Sequence, residues 1–355
     1  MNSIQYIGMD LHAATISAAV INDAGKLNME ATVATQASAV LDFIGGLQGT
    51  LQVAFEEGLH AAWLCDLLRP HVAQVVACDP RQLPRRKGGS KNDKIDAQQL
   101  AQWLRLGVLQ PVYHSSTGLR TLRELVRSYV TMVSDTTRVM NRLKAIYRGR
   151  AIPAQGTRVY SPRFREAWLK QLREPGVHRR AELLYRQLDL LLPLRHPAKK
   201  SMIAESRKQP AQKILLSIPT LGPVRVAVLM AAMQTPHRFR TKRKLWTYVG
   251  LGLVTRSSAD YRIVQGQLRP SRKPALILGL NLNHNHVLKA LFKDAAATAV
   301  SREGPFREFY ARQLAAGRDP EIARVMVARK LATIVLILWK KGERFNPEHL
   351  KPQAA

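Results

Sequence analysis

The stretch Ile4-Gln5-Tyr6-Ile7-Gly8-Met9-Asp10 decides the fold class. Its apolar positions alternate, which predicts a β-strand, and the strand ends on a carboxylate. Residues 15–21 predict a second strand and residues 26–35 a third, with Asn22-Asp23-Ala24-Gly25 as the hairpin turn between them. Further on, Val40, Leu41, Ile44 and Leu47 give residues 37–47 helical spacing. Residues 51–55 form an apolar strand running into Glu56-Glu57-Gly58. A helix over 59–68, a strand over 72–78 and a helix over 92–106 follow. The order β-β-β-α-β-α-β-α predicts an α/β domain with a mixed sheet over residues 1–109.

The remainder of the chain changes character. Leu119, Leu122, Val126, Val130, Val133, Val139, Leu143 and Ile146 recur at helical steps, with Arg and Lys on the opposite face. Residues 152–162 are rich in Gly, Pro and small residues and should end that helix. A second helix is expected over 165–192, interrupted at Pro175-Gly176. Residues 110–208 therefore read as a basic helical, coiled-coil-like region. In residues 209–355, an apolar helix, the hairpin Pro219-Thr220-Leu221-Gly222-Pro223 and a helix over 224–233 resemble a helix-hairpin-helix element. Such hairpins can present backbone N–H groups to a phosphate. Helices are further expected over 274–292 and 320–339, making this a mainly helical C-terminal domain.

The charge distribution points to a partner. The 355 residues carry 55 Lys+Arg against 25 Asp+Glu, a formal net charge of +30. Residues 1–109 hold nine basic and ten acidic side chains, residues 110–208 hold 21 and seven, and residues 209–355 hold 25 and eight. The excess therefore lies beyond the first domain, which is the pattern of a protein that grips a polyanion, above all nucleic acid. Candidate contacts are Arg85, Arg86, Lys87 and Lys91 in the first domain and Arg240, Lys242, Arg243, Lys244 and Arg256 in the last. A hydrophobic content of 46% excludes wholesale disorder. No apolar run is long enough for a transmembrane helix, no signal peptide is expected, and a cytoplasmic location without membrane contact follows as the expectation. Two cysteines, Cys65 and Cys78, argue against a disulfide scaffold and are expected in the core.

Acids stand where an open α/β sheet places its reactive edge. Asp10 ends the first strand, Glu56 and Glu57 end the fourth, and Asp93 and Asp96 share one helix face. Carboxylates gathered at one edge repel one another unless a cation lies among them. Hard oxygen donors suit Mg²⁺ or Mn²⁺, and paired metals suit phosphoryl transfer. Each acid alone has a plainer explanation, such as Asp93 being an acid favoured by the helix dipole.

Tyr6-Ile7-Gly8-Met9-Asp10, Phe55-Glu56-Glu57-Gly58 and Lys91-Asn92-Asp93-Lys94-Ile95-Asp96-Ala97 together resemble the Asp-Glu-Asp-Asp set of a RuvC-like, RNase H-like nuclease domain. In this order they are similar to the transposases of insertion-sequence family 110. The resemblance implies metal-binding catalytic acids at Asp10, Glu56, Asp93 and Asp96, with Glu57 as the alternative to Glu56. It also implies a nucleophilic serine in the second catalytic domain, at Ser258 or the adjacent Ser257, after Val249-Gly250-Leu251. Arg256 and Arg262 flank that position. The implied reaction is DNA strand exchange through a covalent phosphoserine. The implied partners are donor and target double-stranded DNA, a noncoding guide (bridge) RNA, and further copies of the chain in a dimer or tetramer with a composite active site.

Two other functions compete with this reading. A metal-dependent nuclease of DNA junctions would use only the four acids, and a non-catalytic basic protein would need none of them. His284 and His286, at i and i+2, are poorly spaced for zinc on a helix and read as polar helix or DNA-facing residues.

Overall fold

The computed structural model describes residues 3–83, 92–114, 119–256, 261–264, 267–270 and 276–347. The chain divides into two compact units, residues 1–116 and 117–355.

In the first unit the expected α/β order is observed. The elements are β1 (Ile4–Leu11), β2 (Thr15–Asn22), β3 (Leu27–Ala34), α1 (Ala37–Gly45), β4 (Thr50–Glu56), α2 (Ala61–Leu68), β5 (Gln74–Cys78) and α3 (Asp93–Arg105). The strands lie in the order β3-β2-β1-β4-β5. β1, β2 and β3 are antiparallel neighbours, whereas β4 and β5 run parallel to β1. This mixed sheet is consistent with the nuclease-like fold that the resemblance implies.

Alternation along the strands covers both faces of the sheet. Ile7, Met9, Val53, Phe55 and Ala77 pack against Val40 and Ile44 of α1 and Leu64 and Leu68 of α2. Ala54, Val76 and Cys78 turn to the other face and meet Leu100 and Leu104 of α3. Cys65 and Cys78 are both buried in these layers, as expected. Gly8 belongs to the α3 side, where the approach is so close that a Cβ would fall 1.9 Å from the Ala97 carbonyl oxygen and 2.5 Å from the Ala101 nitrogen. Glycine is therefore a steric requirement of seating α3 on β1.

The second unit is mainly helical. α4 (Arg120–Arg148) is the long amphipathic helix, and α5 (Arg165–Leu169) and α6 (Pro175–Arg207) follow it. α6 departs from the expectation that it would end near 192. It continues to Arg207 through Pro193 and Pro197. Each interior proline costs a helix about 3 kcal/mol. Burial of Tyr185, Leu188 and Met202 on either side of them offsets that cost.

α4 and α6 contribute to two cores. Val139, Leu143, Ile146 and Tyr147 pack with Ala181, Tyr185 and Leu188 at one end, where the Tyr185 hydroxyl donates to the Val159 carbonyl at 2.9 Å. At the other end Leu119, Leu122, Val126 and Met202 join the large C-terminal core. That core is completed by α7 (Ala211–Leu216), α8 (Pro223–Met233), α9 (Lys242–Tyr248), α10 (His286–Val300), α11 (Pro305–Ala315) and α12 (Pro320–Lys341). The turn between α7 and α8 holds Thr220 at φ 73°.

The helix expected over 274–292 is not present as such. β6 (Leu253–Arg256) pairs antiparallel with β9 (Leu276–Leu280), and β7 (Tyr261–Val264) pairs with β8 (Gln267–Pro270). Gly279 adopts φ 123°, outside the helical region, and Asn281 and Asn283 close a turn before α10 starts at His286. Among the described residues no helix is long and apolar enough to cross a membrane.

Candidate metal centre at the sheet edge

The site is built by register. β1 and β4 are parallel neighbours, with Met9 opposite Phe55, so Asp10 and Glu56 are the next positions on adjacent strands. Neighbouring strands lie about 4.8 Å apart. Met9 and Phe55 are committed to the α1/α2 face, so alternation turns Asp10 and Glu56 toward the α3 face. Glu57 goes elsewhere. Its backbone N–H donates to the Cys78 carbonyl, and its carboxylate lies 2.6 Å from Nε2 of His114.

α3 supplies the other two acids. Asn92 caps it by accepting from the Lys94 backbone N–H at 3.1 Å. Asp93 and Asp96 then fall in the first turn, where the helix dipole favours negative charge. The contact of Gly8 with Ala97 seats this turn beside Asp10.

Among the described residues, Asp10, His12 and Asp93 form a group whose ligand atoms all lie within 4.8 Å of one another. His12 Nε2 is 3.2 Å from Asp10 Oδ2 and 3.2 Å from Asp93 Oδ2. Burial holds the Asp10 carboxyl above its ordinary range, His12 opposes this, and the charges of Asp93 and Asp96 add to the rise. Asp96 is thus electrostatically part of the site although it stands outside the tight group. Glu56 is exposed at the rim.

Nothing in the pattern of the acids singles out His12. The available signal was its position two residues after Asp10, which strand periodicity places on the same side. His114 was missed because its partner Glu57 is 57 residues away.

The remaining expected residues divide in two. Arg85, Arg86, Lys87, Lys91, Ser257 and Ser258 lie outside the described residues. Arg240, Lys242, Arg243, Lys244 and Arg256 are all exposed in the second unit. Lys242 extends over the Trp246 ring, 5.9 Å from its centroid, while Arg238 is stacked on Tyr248 and donates to the carbonyls of Ala232 and Met233. Arg238, just before these exposed cations, is therefore a packing residue. His284 covers Gly250, where a Cβ would come within 2.5 Å of its ring.

Comparison with known proteins gives the family. A family model described as a transposase, of the DEDD IS110 type, matches residues 7–149. A second, described as the Transposase IS116/IS110/IS902 family, matches residues 212–311. A protein of Streptomyces clavuligerus described as an uncharacterized 44.8 kDa protein of insertion element IS116 is 24% identical over 341 residues, which covers 82% of each chain. With both transposase-family models matched in order along one chain, the protein belongs to the IS110 family of transposases.

Proposed function

We infer that the protein is a DNA recombinase that cuts and rejoins the strands of its own insertion element. The observation that carries this reading is the convergence of Asp10 and Asp93 at the carboxyl edge of the sheet, with Glu56 and Asp96 adjoining. Carboxylates are a hard oxygen donor set that fits Mg²⁺ or Mn²⁺. When bound, such an ion supplies charge neutralisation at the scissile phosphate.

The protein groups would act as follows. Asp10, Glu56, Asp93 and Asp96 would hold the cation at the sheet edge. Ser258, with Ser257 as the alternative, attacks the phosphorus through Oγ. A P–O bond to the serine forms, the P–O bond to one deoxyribose oxygen breaks, and that oxygen leaves as the strand's free hydroxyl. The phosphodiester energy is retained in the phosphoserine, so a second DNA hydroxyl can reverse the attack and rejoin without ATP. Arg256 is exposed, immediately before Ser257 and two residues before Ser258, and suits a phosphate contact.

The basic helices of residues 110–208, as a coiled-coil-like arm, and the exposed Arg240, Lys242, Arg243 and Lys244 suit the backbones of DNA and of a guide RNA. The three-part organisation into residues 1–109, 110–208 and 209–355 belongs to this reading, as does an oligomer in which one protomer's serine serves another's acids.

The test is strand exchange in vitro with element-end DNA and RNA copurified with the protein. Wild type should exchange strands and leave a covalent protein–DNA adduct. Ser258→Ala should lose both; if Ser258→Ala still exchanges strands while Ser257→Ala does not, the nucleophile moves by one residue. Cutting that survives both serine changes but not Asp10→Asn would establish the junction nuclease instead.

A further inference from the structure

We propose that His12 is a direct nitrogen ligand of the catalytic cation, and that it makes the site prefer Mn²⁺ over Mg²⁺. This rests on the reading of Asp10 and Asp93 as metal-binding acids.

The argument begins with spacing. His12 Nε2 stands 3.2 Å from one oxygen of each carboxylate. Neighbouring ligands of an octahedral ion with bonds of about 2.1–2.2 Å are about 3.0–3.1 Å apart, because their separation is √2 times the bond length. The two nitrogen–oxygen distances therefore already match two adjacent edges of one octahedral shell.

The backbone around His12 is also fixed. The His12 N–H donates to the Thr15 carbonyl at 2.9 Å, and the Thr35 hydroxyl donates to the His12 carbonyl at 3.0 Å. Ala14 is held in turn by the Thr35 N–H at 3.0 Å. The tight connection between β1 and β2 thus presents His12 on a braced loop beside Asp10. Its side chain is 47% exposed, so the position is open to an ion arriving from solvent.

Chemistry supplies the selectivity. Mg²⁺ takes oxygen donors almost exclusively, whereas imidazole is a good donor to transition ions. Replacing one water or carboxylate oxygen by an imidazole nitrogen shifts a site away from Mg²⁺. The two further acids, Glu56 and Asp96, leave ample oxygen for the rest of the shell.

The experiment titrates Mn²⁺ and Mg²⁺ separately into full-length protein freed of nucleic acid, by calorimetry, and records pulsed EPR of the Mn²⁺ complex for nitrogen coupling. Wild type should bind Mn²⁺ more tightly and show imidazole coupling. His12→Asn should lose that coupling and lower Mn²⁺ affinity roughly ten- to a hundredfold. Its Mg²⁺ affinity should change less than about threefold, and its melting temperature should stay near that of wild type. Persistence of the nitrogen coupling in His12→Asn, or an unchanged Mn²⁺/Mg²⁺ ratio, overturns the proposal if Asp10→Asn still abolishes binding. Unchanged Mn²⁺ binding in Asp10→Asn would overturn the acid site itself, and the role of His12 with it.

Discussion

In residues 117–355 acidic side chains are met individually by cations: Glu124 by Arg127, Asp135 by Arg138, Glu174 by Arg150, Asp189 by Arg165 and Glu205 by Lys208. At the sheet edge of residues 1–116 the arrangement is reversed. Asp10 and Asp93 approach each other with His12 between them, and Asp96 adds to the same negative field. Exposed helical ion pairs contribute little, about 0.3–0.5 kcal/mol each. A gathering of carboxylates is unfavourable to the folded chain by itself, and its persistence points to a ligand. In this molecule acids that are neutralised locally maintain the scaffold, and acids that are crowded together mark the proposed reaction centre.

The sharpest way to break this contrast is to remove one crowded acid. Asp10→Asn or Asp93→Asn should reduce strand exchange by at least about a thousandfold. Asp10→Asn should also raise the melting temperature, because desolvation and neighbouring carboxylates disfavour the charged Asp10 in the fold. A loss of both activity and stability in Asp10→Asn would mean that this acid is structural.

The next largest effect concerns how the crowding is enforced. Gly8→Ala should lower stability by about 2–4 kcal/mol, since the clash is with backbone and not with a flexible side chain. Hydrogen exchange should report the loss of protection in β1 and α3. Unaltered protection there would show that α3 does not depend on the contact.

A weaker effect is expected from the exposed cations. Changing Arg240, Lys242, Arg243 and Lys244 together to Ala should flatten the salt dependence of DNA binding by about 0.9 for each lost phosphate contact. Metal affinity at the sheet edge should stay constant in that variant.

The smallest effect belongs to a neutralised acid. Arg165 makes two hydrogen bonds to Asp189, at 2.6 and 2.7 Å, and holds that carboxyl below its ordinary range. The pair therefore adds stability above the unfolded carboxyl pKa of about 3.9. That contribution is lost as pH falls through the lower folded value. Arg165→Ala should melt slightly earlier than wild type at neutral pH, with the difference shrinking under acid conditions.

The legible parts of the sequence were those with local periodicity and local punctuation. Strand alternation up to Asp10, the Asn22-Asp23-Ala24-Gly25 turn and the helical spacing after residue 92 each identify an element from a handful of neighbours. The acids could be named on that basis because each sits at an element's end. His12 was hidden because its meaning arises only when α3 brings Asp93 across to it, from 81 positions downstream. Likewise, the apolar run 276–280 fits a buried helix and a strand equally well by periodicity. Its pairing with β6, some 23 residues earlier, decides the matter. α6 shows the converse, since tertiary burial carries a helix past Pro193 and Pro197, where local rules would end it.

The seating of α3 on Gly8 has a consequence for what the edge can accommodate. Side chains adjust by changing rotamer, but the separation between β1 and the first turn of α3 is fixed by one peptide plane resting directly on another. That contact acts as a gauge block for the aperture between Asp10 and Asp93. Retuning the opening for a larger ion would require altering the main-chain contact at Gly8 and Ala97, since exchanging the acids alone leaves the gauge unchanged.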